Sequence, residues 1–199
     1  MMRRLSVWLT VCGLALLPVR AFAHEGGDVV GGFLSGLKHP VLGPDHVVAM
    51  VAVGLWGAQL GRPANWTLPV AFPLVMALGG AFGARGLPLP GVEIGIALSA
   101  MVLGAMVALA VRPPLAVAAV IVALFAVFHG HAHGTELPGA ASPLAYGAGF
   151  VTSTGLLHLS GIALGLIGRW PMGVRIVRAC GVLVCVIGGY FLWAAFKGA

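Results

Sequence analysis

The sequence predicts an all-α integral membrane protein, a bundle of six transmembrane helices behind a cleavable signal peptide. Three observations carry this expectation. The 199 residues are 60% hydrophobic and only 8% charged, with a mean hydropathy of +1.05, whereas a soluble domain is roughly one quarter charged. The apolar residues gather into runs close to the ~20 that cross roughly 30 Å of hydrocarbon. Short Gly- and Pro-rich connections, GRPAN, RGLPLPG, RPP and GRWPMG, separate the runs; they suit antiparallel neighbours in a bundle and leave no room for a soluble domain.

Residues 1–23 read as the signal. Arg3 and Arg4 form the charged start, Leu5 to Leu17 the apolar stretch, and Ala21-Phe22-Ala23 a small-residue cleavage site, so that the membrane domain is residues 24–199 and begins at His24. Cys12 lacks the preceding small residue of a lipid-attachment cysteine. The competing reading is an uncleaved first anchor. Six spans follow: Pro44 to Leu60, Trp66 to Ala84, Val92 to Val111, Leu115 to about Gly130, Leu144 to Ile167, and Val174 to Phe196. Runs such as GLWGAQLG and ALGGAFGA supply the small residues that let helices approach closely in lipid. Cys180 and Cys185 lie five apart on one segment, a spacing that suits packing thiols and no disulfide framework.

A cleaved signal places both ends of the mature chain on the periplasmic side of a bacterial cytoplasmic membrane. Arg62, Arg112, Arg169, Arg175 and Arg178 then face inward against Lys38, Arg85 and Lys197 outward, the bias expected of inner loops. These loop arginines account for the pI near 10.1, which therefore gives no argument for nucleic acid. The expected partners are a divalent ion, lipid and, as an open question, further copies of the chain.

With that topology every carboxylate maps to the outer side: Glu25 and Asp28 in the N-terminal segment, Asp45 at span one, Glu93 at span three, Glu136 after span four. Such a mouth concentrates cations. The histidines follow: His24, His39 and His46 on the approach, His129, His131 and His133 at the end of span four, with only His158 deep. Ionisable groups in lipid cost about 2.5 to 3.5 kcal/mol each, so they face the bundle interior and tend to be functional.

The stretch HPVLGPDH places His39, Asp45 and His46 as H-x5-D-H. On an unbroken helix the two imidazoles would stand roughly 10 Å apart along the axis, too far for one ion. Pro40 and Gly43-Pro44 argue against an unbroken helix, and a turn or half-helix ending near Gly43 would fold His39 back toward Asp45 and His46. In FHGHAHGTE, His129 and His133 stand at i and i+4, one face of a helix and a spacing for sharing an ion. His131 points elsewhere and reads as a solvated helix end. Gly130 and Gly134 suggest fraying into a loop that returns Glu136 over the mouth. Thr154 and His158 are one turn apart in TSTGLLHLSG; His158 is either a second station on an inward path or a histidine bonded to a neighbour's carbonyl.

H-x5-D-H together with FHG-x-AHG-x-E, matched by Phe128, His129, Gly130, Ala132, His133, Gly134 and Glu136, resembles the HupE/UreJ family of nickel and cobalt permeases. The segment GFVTSTGLLHLSG around His158 is similar to the family's fifth span. The resemblance implies import of Ni2+, with Co2+ possible, to supply a hydrogenase or urease, with no permanently bound cofactor and no enzymatic activity. The donor types independently favour a borderline divalent ion: imidazole and carboxylate suit Ni, Co, Zn or Cu(II). The expected order is capture by His39, His46, Asp45 and Glu93, passage to His129, His133 and Glu136, and release near His158. Two other classes compete: a membrane cytochrome with His46 and His129 on haem, and a non-transporting accessory that only binds metal. An intramembrane metalloprotease is disfavoured because no H-E-x-x-H occurs.

Overall fold

The computed structural model describes residues 32–137 and 143–198. The expected signal, with His24, Glu25 and Asp28, lies outside the described residues. Among them the fold is wholly helical: α1 (Phe33–Leu42), α2 (Pro44–Leu60), α3 (Ala64–Ala84), α4 (Val92–Ala108), α5 (Leu115–Thr135), α6 (Pro143–Gly165) and α7 (Pro171–Gly198), with a 3-10 turn at Leu166–Arg169 between the last two. Four segments, α3, α5, α6 with its 3-10 turn, and α7, are each long and apolar enough to cross a membrane. The remaining expected spans differ. α1 and α2 pass that test only together, as a pair bent by 85°. α4 has 17 residues, about 25 Å of rise.

Local chemistry sets these boundaries. Pro44 holds Gly43 in extended backbone, stopping α1, and itself fits the first position of α2, where its missing N–H costs nothing. The bend anticipated at Gly43-Pro44 is therefore present, while Pro40 is accommodated inside α1. α4 starts after Gly91 at φ 71° and is ended by a turn with Ala110 at φ 55°, three residues earlier than expected. Side chains of other helices donate to its last carbonyls, Gln59 Nε2 to Val107 and Arg178 Nε to Ala108, and Trp56 Nε1 donates to Val111 just beyond its end, adding to the turn's own backbone bonds at a helix terminus.

The most extensive pairings are α3 with α5, α4 with α7, α2 with α6 and α1 with α6. Each is built on glycines set against the neighbouring helix: Gly79 and Gly83 on the main chain of α5 at Val127 and His131, Gly130 and Gly134 on that of α3 at Met76 and Gly80, Gly104 against Gly181, Gly54 against Gly161, and Gly36 and Gly149 on the main chain of α6 and α1. A Cβ at any of these positions would meet the neighbour's main chain. Close backbone approach is how helices associate where lipid supplies no hydrophobic drive. The core between them contains Trp56, Phe72, Met50, Leu55, Leu68 and Leu103, all essentially inaccessible.

Candidate metal centre

The glycine packing decides where the histidines of α5 go. Because Gly130 and Gly134 sit flush on α3, the helix does not fray but continues to Thr135, with Glu136 as its C-cap. The ring of Phe128 lies against Gly95 of α4, where a Cβ would overlap it. α5 is thus held on two sides, and His129 and His133 point from one face toward α1 and α2. The 85° bend brings α1 over the start of α2, so His39 and His46 approach the same face.

A cavity of about 190 Å³ results, lined among others by His39, Asp45, His46, Glu93, His129, His133 and Glu136. All the metal-ligating candidates named above except His158 meet there. Two sets have ligand atoms within 4.8 Å of one another: His39, His133 and Glu136, and His46, His129 and His133. The grouping differs from that of the expected order of capture, which put His39 with His46, Asp45 and Glu93, and His133 with His129 and Glu136. His133 belongs to both sets through opposite nitrogens. Its Nδ1 faces His39 Nε2 at 2.9 Å and Glu136 Oε2 at 3.7 Å, while its Nε2 faces His46 Nδ1 at 3.1 Å. His39 Nε2 is also 3.0 Å from Glu136 Oε2. Asp45 spends one carboxylate oxygen on the His46 backbone N–H at 2.8 Å.

The sets form a gradient from water to interior. The Glu136 side chain is 58% exposed, those of His39 and His133 are 21% and 17%, and His46 and His129 are 1%. His133 first, then His39, holds the Glu136 carboxyl well below the usual carboxylate range by hydrogen bonding to its ionised form. Its contribution to stability is therefore complete above the ordinary carboxylate pKa and is lost only as pH falls toward the lowered value. Phe150 forms an apolar wall, its ring centroid 4.7 Å from that of His133 and 5.5 Å from that of His46. Behind the inner set, Ser99 Oγ lies 2.8 Å from His129 Nε2 and Thr154 Oγ1 3.4 Å from His46 Nε2.

His158 is buried but stands apart. The Phe72 ring lies edge-on between it and His129, with centroid distances of 5.7 and 5.6 Å. Neither His158 nitrogen makes a full hydrogen bond, although the Pro69 carbonyl acts on the ring. That carbonyl is left without a helical partner because Pro73, four residues on, has no N–H. His131 contradicts its reading as a solvated end: it is 8% exposed, and its Nε2 lies 2.6 Å from the Leu87 carbonyl, tying α5 to the turn after α3. Expecting a frayed terminus hid this.

Sequence reasoning missed Ser99, Phe72, Phe150 and Tyr146, which flank the histidines. Ser99 carried a usable signal, a hydroxyl in an apolar helix; the aromatic residues carried none that separates them from ordinary core. At the opposite end, Arg62, Arg112 and Arg169 line a common cavity of about 430 Å³ with Gln59 and Asn65, so the described acids and these basic groups occupy different ends.

The HupE / UreJ protein family matches residues 12–191. Protein HupE of Rhizobium leguminosarum bv. viciae is 44% identical over 191 residues, covering 96% of this chain and 99% of its own. No solved structure matches. The chain belongs to the HupE/UreJ family.

Proposed function

We propose that this member of the HupE/UreJ family is a permease that imports Ni2+, with Co2+ as the chemically closest second substrate, across the bacterial cytoplasmic membrane to supply a hydrogenase or urease. The observation that carries the reading is the pair of three-ligand sets sharing His133 in one cavity at the acidic end of the bundle. In this reading the bent α1–α2 pair and the 17-residue α4 cross the membrane beside the four long helices, and a half-helix such as α1 suits the broken helices of transport sites.

In this account Asp45, Glu93 and Glu136 draw the hydrated cation to the mouth. The outer set offers two imidazoles and a carboxylate, the inner set three imidazoles. Loss of the anionic ligand on moving inward favours capture outside and release inside. A neutral imidazole ligates through one nitrogen at a time. His133 therefore serves the outer set through Nδ1 with its proton on Nε2, or the inner set through Nε2 with its proton on Nδ1, so that passing the ion across its ring is coupled to loss of the Nε2 proton and protonation of Nδ1, on the side of His39 and Glu136. From the inner set the path leads past Phe72 to His158. An inside-negative potential is worth about 4.6 kcal/mol per 100 mV for a doubly charged ion, at about 2.3 per unit charge, enough to drive a downhill route with loose binding.

Haem is disfavoured as occupant. His46 and His129 do lie at matching depth, but their ring centroids are 5.3 Å apart and His133 contacts His46, leaving no slot for a macrocycle.

Uptake of radioactive nickel by cells carrying the chain tests the reading. Uptake should fall as the medium is acidified, because an imidazole that takes up a proton ceases to ligate. Glu136, its carboxyl held well below the usual carboxylate range by His133 and His39, stays ionised during that acidification, so the loss should follow the histidines; a rate that acidification leaves unchanged for as long as the protein stays folded contradicts histidine capture. Because the sets share His133, equilibrium dialysis should saturate at one Ni2+ per cavity, and two would contradict the hand-over.

A further inference from the structure

Behind the inner ligand set, α4 presents Gly95 and, one turn later, Ser99 to α5. Phe128 packs on the first and His129 meets the second. Ser99 is fully buried. Its hydroxyl donates to the Ile96 carbonyl at 2.6 Å, a separation between two oxygens that requires the proton to lie between them. A serine has a single hydroxyl proton. The 2.8 Å contact with His129 Nε2 must then run the other way, with the ring N–H donating and Ser99 Oγ accepting. His129 is thereby fixed with its proton on Nε2. Its Nδ1 keeps the lone pair and is buried without a hydrogen-bond partner. His129 lines the metal cavity, whereas Ser99 stands behind it.

We infer that Ser99 is a positioning residue: by accepting from His129 Nε2–H it holds the imidazole in one tautomer and orientation and leaves Nδ1 as the nitrogen that ligates the ion. Histidine ligands are commonly fixed in this way by a group on their second nitrogen, and removing that group typically lowers metal affinity 10- to 100-fold. The inference rests on the metal-binding reading above for its consequence, but not for the tautomer itself. The Ile96 carbonyl and the Ser99 hydroxyl are both supplied by α4. The helix that carries Glu93 in its first turn, at the mouth, therefore also sets the proton on a fully buried ligand of the cavity.

The test uses the full chain with 15N-labelled histidine in lipid nanodiscs, with the His129 signals identified by their loss in His129→Gln. Metal-free wild type should show His129 as the Nε2–H form. Ser99→Ala, a smaller residue that adds no clash, should give a mixture of tautomers, about 10-fold weaker Co2+ binding and altered visible d–d bands. Ser99→Thr, which keeps the hydroxyl, should restore the wild-type tautomer. A wild-type His129 protonated at Nδ1, or a Ser99→Ala protein that keeps the pure Nε2–H form and full Co2+ affinity, overturns the assignment. If the tautomer responds while wild type binds no Co2+ in the cavity, the positioning role stands and the permease reading fails.

Discussion

His133→Ala should reduce nickel uptake to background and weaken equilibrium binding of Ni2+ by about 100-fold, or about 2.8 kcal/mol at about 1.4 per decade. The size follows from its position, because His133 is the one residue in both ligand sets and its removal leaves each with two members. His39→Ala removes only an outer ligand and leaves the inner three in place, so a loss of about 10-fold is expected there. His131→Ala is the informative neighbour. It breaks a hydrogen bond to the Leu87 carbonyl and should cost about 1 kcal/mol of stability while leaving the metal affinity of the folded fraction unchanged. Binding and uptake measured on the three variants in parallel check the order; equal losses at His131 and His133 would mean that the motif acts through folding alone.

Gly130→Val should prevent accumulation of folded protein. A Cβ at Gly130 falls on the Met76 carbonyl oxygen and crowds the Gly80 nitrogen. Those are main-chain atoms of a packed helix, which no rotamer change can withdraw, so α3 and α5 would have to separate along their most intimate contact. Overpacking of this kind costs about 3 kcal/mol or more, a large part of the 5–15 kcal/mol by which proteins are usually stable. Gly147→Ala provides the contrast. A Cβ there meets nothing within 4 Å, and alanine in a helix is favoured by roughly 0.5–1 kcal/mol. Thermal unfolding of the purified proteins in detergent separates the two. A Gly130→Val protein with wild-type stability would show that the α3–α5 contact is looser than described.

The glycines of FHGHAHGTE illustrate what was legible in the chain and what was not. Helical class, the apolar segments and the importance of the two histidine motifs follow from residue types and spacing, and the break at Gly43-Pro44 follows from proline chemistry. Which partner a glycine packs against does not. Read alone, Gly130 and Gly134 weaken a helix; against α3 they extend it to Thr135 and swing His131 into a buried contact. The same lack of partner information hid the division of ligands. His39 and His46 belong to one motif, yet the bend sends them to different sets, and His133 joins both because α1 and α2 approach its ring from opposite nitrogens. The short α4 was also hidden, since Leu109 to Val111 continue the apolar run although the backbone turns at Ala110.

Anomalous diffraction at the nickel K edge from crystals of the nickel-loaded protein tests the central claim most directly. The account predicts one strong peak per chain inside the cavity bounded by His39, His46, His129, His133 and Glu136, absent from His133→Ala. Nickel found only outside that cavity, with the peak unchanged by His133→Ala, would contradict it.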